Sequence, residues 1–503
     1  MDSRKNYVVA VDVGSSEVVI AVGSMAEGGT VNIETVVAEP LTGVSAGLVE
    51  NSQTVAEALR RARVRAEQEV GVAITDAYVT ISGRFVRCAR YTDHVFVEDN
   101  ENRISQRDLA ALRERMLNVK AGAGEVIMDL FPLCYKSDIG TELQNPVGCY
   151  SKQLSSTYNF ILCEDTAKDR LRRVFLDVGI KIRSMFAGAS VMAKSLVTSD
   201  EKEDGVAIVD IGSGVTDLAI YRGGVLCYIA SIPMGGSALN NDILGYDNNI
   251  PSRMVENLKK QCGSAVVELT PDDMIQVRNR GRAIKPIPRL NLAAVIEARM
   301  TDIAEYVWNE IREAGYAKKL GAGIVLTGGG ANLKNVGELF HRITEQEVRV
   351  ACAEIGVATE ALEKYASPSY TMALSLLLHG AEVGPCPVGV LIQRPAEPKT
   401  EPKAEPVKPV EPAQPAKPAQ PKVAPQQQVT PQPQPQPQPI QQPAEPNTLK
   451  GEDDNYGDDI ADGDDDVKPG RGGWFRGWGG KIKRAFTEAF PEPGEDVDGD
   501  DEY

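Results

Sequence analysis

The chain has 503 residues, with 54 Lys+Arg against 71 Asp+Glu and a formal net charge of −17. Of its 31 prolines, 20 fall in residues 389–503, which carry 13 basic and 22 acidic residues; residues 1–388 are left at a net −8. An acidic body argues against nucleic acid as a partner, because phosphate backbones need a basic face, and 388 residues exceed one domain of roughly 100–200.

The eight cysteines are scattered and form no C-x-x-C pair, as in a cytosolic protein with reduced thiols. His94, His341 and His379 lie far apart, which argues against a zinc site. No run reaches the ~18 apolar residues of a membrane-spanning helix. The start, MDSRKNYVVAVDVG, lacks the h-region and cleavage site of a signal peptide, so none is expected.

Residues 7–13 and 17–23 are β-branched strand runs joined by the tight turn Gly14-Ser15-Ser16. A third strand fits 30–38. Residues 51–69 read as a helix with Val55, Ala58, Leu59, Ala62 and Ala66 on one face. A strand at 76–82 follows. Residues 85–163 read as an insert of short strands with one helix near 105–118, after which helix 165–179 and strand 180–186 resume the main pattern.

The pattern then repeats. Strands fit 206–211, 216–222 and 225–232, and helices fit 236–245 and 252–262. A mixed segment at 264–290 leads to a long helix at 291–314, strand 322–327, the turn Gly328-Gly329-Gly330, and helices near 332–343 and 369–380. Two blocks about 200 residues apart thus share one order: strand, glycine turn preceded by an aspartate, strand.

Asp12 precedes Gly14, Ser15 and Ser16 in the first block; Asp210 precedes Gly212, Ser213, Gly214 and Thr216 in the second. Small residues between strands let backbone N–H groups and hydroxyls approach a phosphate. An aspartate at each strand end can hold hydrated Mg²⁺. Either turn alone reads equally as a polar-capped hairpin. Together, with the third glycine turn to contact a base or ribose, they point to a clasped nucleotide.

This constellation resembles the actin, Hsp70 and sugar-kinase ATPase superfamily. Within it the chain resembles the FtsA family of bacterial cell-division proteins over about 1–384. The resemblance is carried by EKEDGVAIVDIGSGVTDLAIYRGG (201–224), Ile232-Pro233-Met234-Gly235-Gly236, GIVLTGGGANLKNV (323–336) and SPSYTMALSLLLHG (367–380). It implies an α/β, actin-like ATPase fold: two duplicated α/β domains around a nucleotide cleft, with an inserted subdomain. The implied division is 1A at 1–84 and 164–204, the insert 1C at 85–163, 2A at 205–245 and 296–366, 2B at 246–295, and a helix at 367–388 packing on 1A.

The resemblance implies ATP and Mg²⁺ as cofactors. Glu256, Lys259 and Lys260 match the family segment that flanks ribose and adenine; a solvated helix face is the plain alternative. Glu17 departs from the neutral or basic residue usual at the end of the first phosphate turn. Lys194 aligns where a Gln or Glu usually orients the attacking water. Asp210 and Lys194 are therefore the catalytic candidates. A Glu17–Lys194 pair inside the cleft, with at most slow hydrolysis, is the expectation.

Residues 395–446 hold 17 prolines, which exclude helix and sheet and favour an extended spacer. Residues 452–466 carry nine Asp/Glu and no Lys/Arg. The linker thus spans 389–469 and is expected to be disordered. At 470–491, Trp474, Phe475, Trp478, Ile482, Phe486 and Phe490 fall on one helical face, with Lys481, Lys483 and Arg484 available to lipid headgroups. The alternative is docking on the body or a partner groove. Family members end in such a membrane helix; here an acidic tail, 492–503, follows it.

The resemblance implies a cytoplasmic protein, peripheral on the inner membrane at the division site. It would form protofilaments with itself and bind anionic lipid, the C-terminal peptide of the tubulin-like FtsZ and other division proteins. Arg299, in Ile296-Glu297-Ala298-Arg299, falls at an FtsZ contact of the family, although its proline is absent at 298. A small-molecule kinase on the same fold is the rival reading. The insert and the amphipathic tail argue against it.

Overall fold

Two β-branched runs separated by a three-residue turn have little choice but to pair with each other. In the computed structural model, which describes residues 6–25, 30–143, 145–246, 250–279, 282–283, 286–358 and 363–390, β1 (Tyr7–Val13) and β2 (Glu17–Met25) form that hairpin. β3 (Val31–Pro40) adds antiparallel to β2; β4 (Asp76–Ile81) and β5 (Lys181–Ala187) add in parallel beyond β1. The sheet order is β5-β4-β1-β2-β3.

The second half repeats this order. β6 (Val206–Ile211), β7 (Thr216–Arg222) and β8 (Val225–Ile232) form an antiparallel meander, and β9 (Ile324–Thr327) and β10 (Val348–Val350) run parallel beyond β6. The order is β8-β7-β6-β9-β10. Registers match as well: Asp12 lies opposite Val19 and Asp210 opposite Asp217, both positions shifted by 198 residues. The chain is therefore a duplicated α/β fold.

Val8, Val9, Ala10 and Val11 are all fully buried, so both faces of the first sheet are covered. Helix Ser52–Val70 starts on the Asn51 side chain, which accepts from the N–H groups of Gln53 and Thr54, and stops at left-handed Gly71. It buries the five residues that the periodicity selects. Helix Thr371–Val383 lies along β1 and β2.

The insert differs from the reading of short strands. Val86–Phe96, Glu125–Lys136 and Gln153–Glu164 form three long antiparallel strands, with helix Gln106–Leu117 packed on them. Pro132 suggests an interruption because proline cannot donate to a ladder. A bulge absorbs it: Thr157 pairs with Cys134 and Tyr158 with Pro132, stepping over Leu133. Leu154, Tyr158, Phe160 and Leu162 form the insert's own core, whereas Ile161 and Cys163 join the core of the first domain.

The fold continues past residue 388. Val388–Val390 pairs antiparallel with Val72–Ile74. Residues 391–503 lie outside the described residues, and with them almost all of the linker, the anchor positions Trp474 to Phe490 and the acidic tail.

Helix Thr371–Val383 closes on the first sheet through one glycine. A Cβ at Gly380 would sit 2.4 Å from the Tyr78 ring, which is fully buried and whose hydroxyl donates to the Gly384 carbonyl at 2.7 Å. Gly380→Ala is expected to destabilise the body by about 1–3 kcal/mol through overpacking, measured by urea unfolding.

Candidate functional site

The two aspartate–glycine turns close in the same way. The Gly14 N–H donates to the Glu17 carbonyl at 3.0 Å, and the Gly212 N–H donates to the Val215 carbonyl at 2.9 Å. The turns face each other: a Cβ on Gly214 would lie 2.4 Å from Ser15 Oγ. Ser15 Oγ is itself buried and has no hydrogen-bond partner among the described residues. A hydroxyl without a partner, aimed at a glycine of the opposite domain, suits an anion entering between the turns.

Asp12 and Asp210 end the central strands of the two sheets. Thr80 Oγ1 donates to Asp12 at 2.5 Å. Burial pushes the Asp12 carboxyl up to about 6; the Thr80 bond opposes this, and the charges of Asp217 and Glu17 add to it. Burial also raises Asp210 well above the ordinary carboxylate range, helped by Asp217 and Asp12. Among the described residues neither aspartate is in an ion pair. Two carboxylates that lack counter-charge at this place fit a divalent cation, which would lower both pKa values.

The third carboxylate, Asp217, is a member of this group that the motif reading quotes but does not assign. It lies directly opposite Asp210 on the ladder and accepts hydrogen bonds from Ser231 and, across the domains, from Ser82. Burial raises it too. A signal existed in the sequence: equal registers put Val19 in the first half where the second half has Asp217.

The Gly235-Gly236 segment brackets the second turn. The N–H groups of Gly236 and Ser237 donate to the Gly212 and Ser213 carbonyls at 2.9 and 2.8 Å. Lys259 Nζ reaches the Gly236 carbonyl at 2.9 Å and Glu256 at 2.8 Å, and Lys260 stands 3.3 Å from Glu256. Burial pushes the Glu256 carboxyl up. Hydrogen bonds from Lys259 and Asn240, with the charges of both lysines, outweigh it and hold the group below its ordinary value.

Several sequence expectations need correction. Lys194 does not pair with Glu17: its ammonium lies 2.6 Å from both carboxylate oxygens of Glu382 on helix Thr371–Val383. The basic group felt by Glu17 is Lys260. Burial raises the Glu17 carboxyl, Lys260 opposes this, and Glu256 adds to it. Thr216 is fully buried and donates to the Met234 carbonyl at 2.8 Å, so its hydroxyl supports the second turn instead of facing a ligand. Two of the three glycines at 328–330 serve packing: Cβ atoms there would strike Asp210 at 2.0 Å from Gly328 and Ile211 at 2.4 Å from Gly330. Gly329 alone is exposed, with only Ser369 Oγ near, at 3.7 Å. Arg299 is 7% exposed and holds Asp242 through two bonds of 2.6 and 3.0 Å and Asp302 through one of 3.0 Å. Its guanidinium is committed within the protein.

The raised aspartates make a pH prediction. A carboxyl whose folded pKa lies above its unfolded value stabilises the fold below the unfolded value and loses that contribution as pH rises through the folded one. For Asp12 the window runs from the ordinary aspartate value of 3.8 to about 6, at most about 3 kcal/mol. Metal-free protein should therefore lose stability from pH 5 to 7 in thermal melts. Asp12→Asn should flatten that slope, and millimolar Mg²⁺ should reverse it in the native chain but not in the variant.

Comparison with known proteins agrees with this architecture. Residues 207–375 match the family model described as Cell division protein FtsA. The chain is 29% identical over 388 residues to the Cell division protein FtsA of Escherichia coli (strain K12), covering 75% of this chain and 91% of that protein. It is 28% identical over 354 residues to that of Bacillus subtilis (strain 168), covering 70% and 79%. Among solved structures, a chain of the PilM-PilN type IV pilus biogenesis complex aligns with TM-score 0.52 at 14% identity, covering 74% of this chain and 98% of that one, which shows the fold alone. With two sheets of one order and paired aspartate–glycine turns, the chain has a duplicated α/β fold of the actin-like kind, and over most of its length it is similar to the FtsA cell-division proteins.

Proposed function

We propose that the cleft binds ATP with Mg²⁺ and hydrolyses it slowly at most. The carrying observation is the pair of glycine turns that close in the same way and meet across the domains, with unneutralised aspartates behind them. Asp12 and Asp210 would hold the cation. Gly14, Ser15, Ser16, Gly212, Ser213 and Gly214 would receive the phosphates, and Glu256, Lys259, Lys260 and Gly329 the nucleoside. Bound Mg²⁺ supplies charge neutralisation for the phosphate oxygens. The protein's part is to exclude water and fix the turns.

In this reading the subdomains are those implied by the resemblance. The chain polymerises, docks the FtsZ C-terminal peptide on 2B and anchors FtsZ filaments to the inner membrane through 470–491. Because Arg299 is tied to Asp242, it would position the start of helix Arg289–Glu313 for the peptide, with no direct contact needed. Similarity to the FtsA cell-division proteins and the basic aromatic segment support this; a kinase reading finds no support in either.

Two measurements test the reading. Glu17→Gln removes a negative charge from the end of the first turn. It should tighten ATP binding roughly tenfold, about 1–2 kcal/mol, in a fluorescence titration; unchanged or weaker binding would place Glu17 away from the phosphates. The full chain should co-sediment with anionic vesicles, and a chain ending at 469 should not. Equal sedimentation of the two would remove the anchor from 470–503.

A further inference from the structure

The insert is covalently part of the first domain, yet its sheet also touches the second. Alternation along Gln153–Glu164 sends Tyr158 and Phe160 to the insert's own core and Asn159 to the opposite face. There Asn159 is fully buried, and its Nδ2 donates to the Cys227 carbonyl on β8 at 3.3 Å. On the paired strand the Cys88 thiol donates to the Ile229 carbonyl at 3.5 Å, and Arg90 Nη2 donates to the Tyr316 hydroxyl at 3.1 Å. β8 is an outer strand of the second sheet, so the insert caps an edge that would otherwise be open.

Leu226 and Ile229 of β8 share one core with Val86 and Ile161 of the insert, and polar contacts are set into this apolar joint. Three side-chain donors reach across it, two of them to backbone carbonyls of one strand. Asn159 Oδ1 is buried and has no partner among the described residues. A buried amide oxygen left unpaired destabilises the closed joint relative to one into which water can enter. The joint also spans the two domains whose glycine turns are in contact at Ser15 and Gly214. Phosphate oxygens entering between those turns must part them, and the insert, carried by the first domain, must then move against β8.

We propose that the contact between the insert and β8 is a latch that loosens when nucleotide occupies the cleft, so that the insert's position reports the state of the cleft. The proposal rests on the cleft being the nucleotide site. Asn159 is its positioning residue: it holds the joint closed through Cys227, while its unpaired oxygen keeps that closure weak.

The test is hydrogen exchange on the full chain, with and without saturating AMP-PNP and Mg²⁺, in samples that stay in the supernatant on ultracentrifugation. Nucleotide binding is titrated in the same preparations. Amides of 225–232 and 86–92 should exchange at least fivefold faster with nucleotide. Asn159→Leu, which replaces the half-satisfied amide by an apolar side chain of similar volume, should reduce that change below twofold while nucleotide still binds. Should that variant fail to fold, Arg90→Ala at the exposed rim serves instead; it should speed exchange of 225–232 without nucleotide. Nucleotide binding with unchanged or slower exchange in both segments overturns the latch and leaves the cleft standing. Absence of nucleotide binding overturns both.

Discussion

Three carboxylates meet where the two central sheets end, and much of the structure can be understood as the arrangement that holds them there. Asp12, Asp210 and Asp217 act on one another electrostatically, and among the described residues none is in an ion pair. Like charges directly opposite on a ladder are destabilising. The protein tolerates them with hydroxyl donors: Thr80 to Asp12, Ser231 and Ser82 to Asp217. Such donors satisfy hydrogen bonds without neutralising charge, so the proposed cation would meet carboxylates that lack a counter-charge. A lysine in their place would give a more stable, inert core.

Close packing explains the glycines around the site. At Gly328, Gly330 and Gly235 a Cβ would strike the backbone or side chains of Asp210–Ser213. The second turn is thus wrapped on two sides by other backbone segments at distances only glycine allows. These close approaches pin the turn from behind and leave its front, toward Ser15, as the side from which a ligand can be met.

Local features were legible in the sequence and remote partners were not. The hairpins at 7–25 and 206–232, the face of helix Ser52–Val70 and the paired aspartate–glycine turns all follow from neighbours within about ten residues. Lys194 finds Glu382, Arg299 finds Asp242, and Thr216 finds the Met234 carbonyl. The first two pairings are set by the packing of elements far apart in the chain, and no spacing rule anticipates them. The third spans a strand pair, yet motif reading assigns a threonine beside a glycine turn to a ligand by analogy. The length of the insert strands also escapes local reading: Pro132 cannot donate to a ladder, and a bulge that steps over Leu133 accommodates it.

The duplication is informative where it fails. Equal registers place Val215 opposite Glu17 in role, and Val19 opposite Asp217. Each half therefore carries one acidic residue that the other replaces by valine. Asp217 lies deep and accepts Ser82 from the other domain, so it ties the halves together behind the turns. Glu17 lies at the outer end of the first turn and faces Lys260 across the cleft. One asymmetry fixes the closed side of the cleft and the other charges its mouth. A cleft between two identical halves would have no preferred direction, and in the proposed reading these substitutions would supply one for a nucleotide with a charged tail and a flat base.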